Sequence, residues 1–318
     1  MSLAELWAEI FWPLCKLIGL VSVGLFIGNL IEAMHWTRFM ARLANPLTRI
    51  GRMCEISAAS FSVAFVSGVT ANTMLAEAYD QGKLTRRELI LSNLFNSLPT
   101  YFLHLPTMIF ITVPILKSAA VVYLGITVGA ALLRTILILF VGRILLTGLD
   151  RCHAMDMPAD EKLVARQVLE KTWKRFRLRI KKIVMITAPI YVGVHFMNKF
   201  GMFSATELFL AEHMSAMSWL HPKAVGIIVF QMVAEFSAGM AAAGALLDAG
   251  SMSVRDVVMA LLVGNVLSSP MRAFRHQFPY YAGIFKPKLA LELIICSQGF
   301  RVASLIFCGA VYYWVSIA

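Results

Sequence analysis

The chain has 318 residues, of which 59% are hydrophobic and only 15% charged, and its mean hydropathy is +0.73. Soluble domains carry about 25% charged residues, so this surface cannot be clothed for water and the solvent it calls for is lipid. The net charge of +11 suits the cytoplasmic loops of a membrane protein, where Lys and Arg collect. No signature of a nucleic-acid-binding fold accompanies it, so no nucleic-acid partner is expected.

The N-terminal stretch MSLAELWAEIFWPLCK carries acidic residues where a signal peptide carries basic ones, and it lacks a small-residue cleavage site. It is expected to stay on the mature chain. The first long apolar run, Phe11 to Ile31, is broken only by Lys16 and is long enough to span. In the next segment, Arg38, Arg42, Arg49 and Arg52 recur at helical spacing among Trp36, Phe39, Leu43 and Ile50. That pattern predicts an amphipathic helix at the membrane interface. A second apolar run, Ile56 to Ala78, contains Ser67-Gly68 and Asn72 and is predicted to be irregular midway. YDQGKLTRR then reads as a turn and a helix start, with Thr85 as N-cap and Glu88 at the third helical position.

Leu89 to Ile115 holds Asn93, Asn96, Ser97, Pro99, His104, Pro106 and Pro114. Repeated proline argues against a straight helix and predicts a helical hairpin or a broken helix. Such backbone survives at membrane depth only inside protein or along a cavity. Ala119 to Leu146 is another long apolar run, with Arg134 inside it. The basic stretch from Arg143 to Lys182 is the natural boundary. Beyond it the apolar runs are Ile183–Asn198, Ala224–Leu247 with Glu235, Val257–Phe285, and Leu289 to the end with Glu292, Gln298 and Arg301.

The two parts repeat one another. Gly24 and Asn29 match Gly193 and Asn198, Asp80 and Gly82 match Asp248 and Gly250, and Arg87-Glu88 match Arg255-Asp256. NLFNSLPTYFLH from Asn93 matches NVLSSPMRAFRH from Asn265, and Arg134 and Gly142 match Arg301 and Gly309. Apolar matches between hydrophobic sequences carry no weight, so the polar and glycine matches make the case. The expected organisation is a first membrane repeat over 1–147, a basic cytoplasmic linker helix over 148–182 and a second repeat over 183–318. Each repeat is assigned about three spanning helices plus a broken helix or hairpin, in an all-α membrane fold. Repeats in secondary transporters are often inverted, with the substrate at their interface near the midplane.

The segment SGVTANTMLAEAYDQGKLTRRELILSNLFNSLPTYFLHLP resembles the Gate, or nucleoside-recognition, membrane domain. That domain occurs in spore maturation proteins A and B, in the membrane core of bacterial ferrous-iron transport protein B and, more distantly, in concentrative nucleoside transporters. SAGMAAAGALLDAGSMSVRDVVMALLVGNVLSSPMRAFRHQFP looks like a further copy. The resemblance implies a multi-pass protein of the bacterial cytoplasmic membrane. Two departures count against iron: the cysteines of the iron transporter's Gate motif are missing, and no GxxxxGK[ST] phosphate loop is present.

Polar groups in membrane segments tend to mark pathways. Asn93, Asn96, Ser97, Thr100 and His104 form one candidate substrate-binding set, and Asn265, Ser268, Ser269, Arg272 and His276 form its counterpart. The plainer alternative is that these side chains satisfy backbone freed by proline. His104 and His276 are candidates for proton coupling, because histidine is the side chain suited to exchanging a proton near neutral pH, although a membrane histidine is commonly an interhelical hydrogen-bond partner. Arg134 and Arg301 suit either an anionic substrate or ion pairs with Glu77, Glu235 or Glu292. Glu235 lacks a basic partner in its own segment and is a candidate coupling site. The cysteines, Cys15, Cys54, Cys152, Cys296 and Cys308, show no metal-ligand spacing. No metal, cofactor or enzymatic centre is expected.

The expectation is a transporter of a small polar or anionic solute by alternating access, with the site between the two broken helices. The alternative is a membrane scaffold or a subunit of a membrane complex. Lipids, a second copy or a partner subunit are the expected associates.

Overall fold

In the computed structural model the described residues are 46–146, 223–233 and 236–316, together with 3–12 and scattered positions in 14–44, 169–201 and at 221. Gly24, Asn29, Arg38, Arg42, Asn198, Glu235 and linker residues 148–168 lie outside them. Every regular element among the described residues is helical.

The chain opens with α1 (Leu3–Leu6), which runs into a π turn at Trp7–Phe11. Next come α2 (Glu55–Ala64) and α3 (Gly68–Asp80). The irregularity anticipated in that apolar run falls between them, where Ser67 is extended and its hydroxyl accepts from the Thr70 N–H at 3.2 Å. Helix α4 (Arg86–Phe95) starts on Thr85 with both halves of the capping box in place. Such a cap contributes about 1 kcal/mol.

A single turn residue, Asn96, separates α4 from α5 (Ser97–Leu116). The interruption therefore lies at Asn96, whereas Pro106 and Pro114 sit inside a continuous helix. Pro99 is in the first turn of α5, where a missing N–H breaks no bond. In a membrane protein the carbonyls that internal prolines free can be satisfied locally, so proline marks a break less reliably there. Helix α6 (Ser118–Leu145) follows.

The later elements are α7 (Ala224–Val233), α8 (Phe236–Asp248), α9 (Val254–Arg272), a π segment at Ala273–Gln277, α10 (Phe278–Phe285) and α11 (Pro287–Val315). Ser253 and Asp256 build a second capping box at the start of α9. Its N-cap has φ −73° and ψ 162°, the same values as Thr85. Gly82 and Gly250 turn the chain after α3 and α8 with φ of 73° and 63°. Lys117 and Lys286 make the one-residue corners before α6 and α11 with φ of 52° and 70°.

Among the described residues, three stretches are long and apolar enough to cross a bilayer: Ser118–Leu145, Val254–Phe285 and Pro287–Val315. Val121, Ile136, Phe140 and Ile144 on α6, and Ile295, Phe307 and Trp314 on α11, are exposed. Long helices that display such side chains belong in lipid, where the same residues are solvated.

The chain forms two compact units, each discontinuous in sequence. Unit 1 comprises 1–103, 135–193 and 278–296; unit 2 comprises 104–134, 194–277 and 297–318. These divisions differ from the sequence halves: each unit takes a piece from the other half. In unit 1, Leu75 and Leu89 pack with Ala282, Phe285 and Leu293. In unit 2, Tyr123 and Leu116 pack with Ile227, Met240 and Leu261. Helix contacts in a membrane gain mostly from close packing, because lipid is as apolar as leucine. Gly142 of α6 shows this in unit 1: a Cβ there would lie 2.6 Å from the Gly51 carbonyl oxygen.

Candidate functional site

Two polar clusters sit in these apolar surroundings, one in each unit. In unit 1 the capping box starts α4 so that Ser92, Asn93 and Asn96 are all buried. Asn93 is 5% exposed, and its Nδ2 donates to Asn72 Oδ1 at 2.9 Å and to the Tyr281 hydroxyl at 3.4 Å. Asn96 exchanges hydrogen bonds with the Ser60 hydroxyl at 3.3 and 3.4 Å. The Thr100 hydroxyl donates to the Asn96 carbonyl at 2.8 Å, tying down the break. Ser57 and Ser92 share a 2.6 Å bond between α2 and α4. Ser97 begins α5 and is partly buried. Among the described residues the partners of Asn93 and Asn96 are neutral, and each amide is used.

Unit 2 is built on α9. Asn265 is 5% exposed, and its Nδ2 donates to the Tyr123 hydroxyl at 3.2 Å. Its Oδ1 accepts from Arg272 Nη2 at 3.1 Å and from Arg301 Nη2 at 3.3 Å. Two guanidinium groups thus converge on one neutral oxygen. Ser269 donates to Gln298 Oε1 at 2.7 Å. Ser268 is 2% exposed and its hydroxyl has no hydrogen-bond partner among the described residues. Gln231 of α7 is 1% exposed, and neither atom of its amide has a partner there. It lies against Gly264, where a Cβ would come within 3.0 Å of Gln231 Cδ. A buried polar group left unsatisfied costs about 1–3 kcal/mol, so this cluster is polar beyond what packing requires. The crossing segment that carries it is also the most enclosed of the three.

The structure thus brings Asn265, Arg272 and Arg301 together and places Ser268 on the same helix face. It does not bring the histidines in: His104 and His276 are exposed. His276 lies in the π segment that directly follows Arg272, a local widening often found at functional positions. Arg134 is buried in α6. Of the acids considered for Arg134 and Arg301, Glu292 instead receives Arg86 Nε at 3.0 Å and Nη2 at 2.5 Å. Arg86 reaches it because α10 and the start of α11 belong to the same compact unit as α4. Glu77 accepts from Gln81 at 2.9 Å. Glu235 lies outside the described residues. No group of three or more His, Cys, Asp or Glu is placed to hold a metal ion among the described residues.

Several participants were not among the candidates: Ser57, Ser60, Asn72 and Ser92 of unit 1, and two tyrosines and two glutamines. Tyr123 and Tyr281 stand in apolar surroundings, and a buried tyrosine hydroxyl needs a partner. That requirement was the available signal. Gln231 and Gln298 are buried amides in otherwise apolar helices, and the same reasoning applies to them.

Helix length, apolar exposure and buried polar clusters define an α-helical integral membrane protein. Three proteins of the archaeon Methanocaldococcus jannaschii, each described only as an uncharacterized protein, are similar along nearly the whole chain. One is 27% identical over 289 residues, covering 91% of this chain and 89% of the relative. The second is 25% identical over 290 residues, covering 90% of each. The third is 22% identical over 296 residues, covering 91% of this chain and 94% of the relative. No protein-family model matches the chain, and no solved structure matches it significantly.

Proposed function

We propose that this chain is a non-enzymatic transporter of the cytoplasmic membrane, built from two inverted Gate-like repeats joined by a basic cytoplasmic linker. It moves a small polar or anionic solute by alternating access. The observation that carries this reading is the pair Asn93 and Asn265. Each follows a capping box, each is buried in an apolar helix, and each gives its amide to a tyrosine hydroxyl brought in by another segment. Buried polar groups at membrane depth are costly, and they are characteristic of pathways. The turns at Gly82 and Gly250 and the corners at Lys117 and Lys286 add support for a repeat. The named relatives are archaeal, so the bacterial source rests on the Gate resemblance alone.

The test is uptake into proteoliposomes from a panel of nucleosides, organic anions and divalent cations. Uptake of one class that is lost in Asn93→Ala and in Asn265→Ala, with both variants folded, supports the reading. Well-folded protein with no uptake of any class rejects it. A second reading, a membrane scaffold or complex subunit, is favoured by one observation: Asn93 and Asn96 of unit 1 are already paired with protein groups. Co-purification of a stoichiometric membrane partner, without flux, would support that alternative.

A further inference from the structure

We infer that the seam between α7 and α9 in unit 2 binds a neutral carboxamide, a small solute with an N–H donor and a carbonyl acceptor side by side, and that Gln231 recognises it. The inference names a solute class for the proposed transporter and so rests on that reading. Ala224, Ile227, Ile228 and Gln231 recur at helical spacing on α7, and all four are buried. The first three belong to one apolar cluster with Val257 and Leu261 of α9. The fourth position of such a ridge calls for leucine or methionine, and it holds an amide instead. Two glycines make room for that side chain. A Cβ on Gly239 of α8 would lie 2.6 Å from Gln231 Cγ, and a Cβ on Gly264 of α9 would overlap Gln231 Oε1. The packing is thus shaped around both the stem and the head of this glutamine. Neither end of its amide has a hydrogen-bond partner among the described residues. An unsatisfied amide at this depth works against folding, and such violations are expected mainly at functional sites.

Ser268 is an independent observation. Val257, Leu261, Gly264 and Ser268 follow one another along a single ridge of α9. The serine therefore lies one turn beyond the glycine that receives Gln231. Its hydroxyl is also buried and unpartnered among the described residues. Unit 1 shows how a seam of this kind is closed. The sequence match of Asn93 with Asn265 sets Ser92 against Gly264 and Asn96 against Ser268. Between α2 and α4, Ser57 bonds Ser92 at 2.6 Å and Ser60 bonds Asn96 at 3.3 Å. The polar groups there satisfy one another. In unit 2 the corresponding positions leave a donor and an acceptor on Gln231 and a hydroxyl on Ser268. A glutamine amide is complementary to another amide, donor to acceptor and acceptor to donor. A carboxylate would set its charge against Oε1, and a ketone would leave Oε1 without a donor, so the seam selects against both.

The full-length protein is purified in detergent, and its melting temperature is followed against benzamide and two isosteres, benzoate and acetophenone. A ligand that binds only the folded state raises the melting temperature. Benzamide is expected to bind at least about tenfold more tightly than either isostere, which is about 1.4 kcal/mol. Acetamide, acetate and acetone repeat the comparison at smaller size. Gln231→Met keeps the length of the side chain and should lose the amide preference. Gln81→Met, the same exchange at an amide already bonded to Glu77 in unit 1, should retain it. An amide preference in either series that Gln231→Met removes and Gln81→Met keeps supports the site. No preference in both series, a preference that survives Gln231→Met, or one lost equally in Gln81→Met overturns the inference. Should Gln231→Met fail to fold, Gly264→Ala serves instead, because its Cβ would displace the amide head, and a preference that survives there overturns the inference as well. Amide binding without flux would refute transport and keep the site. Flux of an amide-free solute that is indifferent to Gln231→Met, with no amide binding, would refute the site and keep transport.

Discussion

Replacing one amide oxygen by a carboxylate at the two matched asparagines should have opposite consequences. At Asn265 the new charge would lie about where Oδ1 now accepts from Arg272 and Arg301 at 3.1 and 3.3 Å. At an effective dielectric of about 20, a unit charge at such a distance gains about 5 kcal/mol from each guanidinium. Withdrawing a carboxylate from water costs several kcal/mol in opposition, so two cations are enough to offset it. The Tyr123 hydroxyl loses a donor in Asn265 but can donate to the carboxylate instead. Asn265→Asp is therefore predicted to be as stable as the native protein or more so. At Asn93 the partners among the described residues, Asn72 at 2.9 Å and Tyr281 at 3.4 Å, are neutral. The desolvation cost stands there without a cation to set against it. Asn93→Asp is predicted to lose about 3 kcal/mol or more. The assay is unfolding in mild detergent by titration with sodium dodecyl sulfate, followed by far-ultraviolet circular dichroism at neutral pH. Similar losses in both variants, or a larger loss at Asn265, would refute the charge assignment of the two clusters.

Two further substitutions test the packing and the tyrosine hydroxyls. Gly142→Ala should destabilise the protein by about 1–3 kcal/mol, because its Cβ would meet the Gly51 carbonyl oxygen at 2.6 Å. Gly129→Ala in the same helix has no atom within 4 Å of its Cβ and should gain up to about 1 kcal/mol from helix propensity, the two being compared by the same titration. Tyr123→Phe should cost about 1–2 kcal/mol, since it removes the one acceptor that the Asn265 amide has among the described residues. Tyr281→Phe should cost less, because Asn93 keeps its shorter bond to Asn72, and equal losses in the two variants would contradict this.

Some of this molecule was legible from the residues alone because its causes are local or compositional. An excess of apolar residues dictates the solvent. A hydroxyl three residues before an acidic side chain caps a helix within one turn, which is why the start of α4 at Thr85 was readable. Ser67-Gly68 interrupts an apolar run for an equally local reason, and the polar residues of α4 and α9 stood out against their leucines. Tertiary structure alone decided which of those residues cooperate. The bonds from Asn265 to Tyr123 and from Asn93 to Tyr281 span 142 and 188 residues, and the bond from Arg86 to Glu292 spans 206. No local pattern encodes such partners, because they are set by the segments each compact unit takes from the other half of the chain. The histidines show the same limit: their spacing repeats faithfully, yet whether a side chain faces inward depends on the neighbours its helix acquires. For that reason the sequence determined that buried polar groups exist in this membrane protein, and only packing decided that one set is neutral and the other cationic.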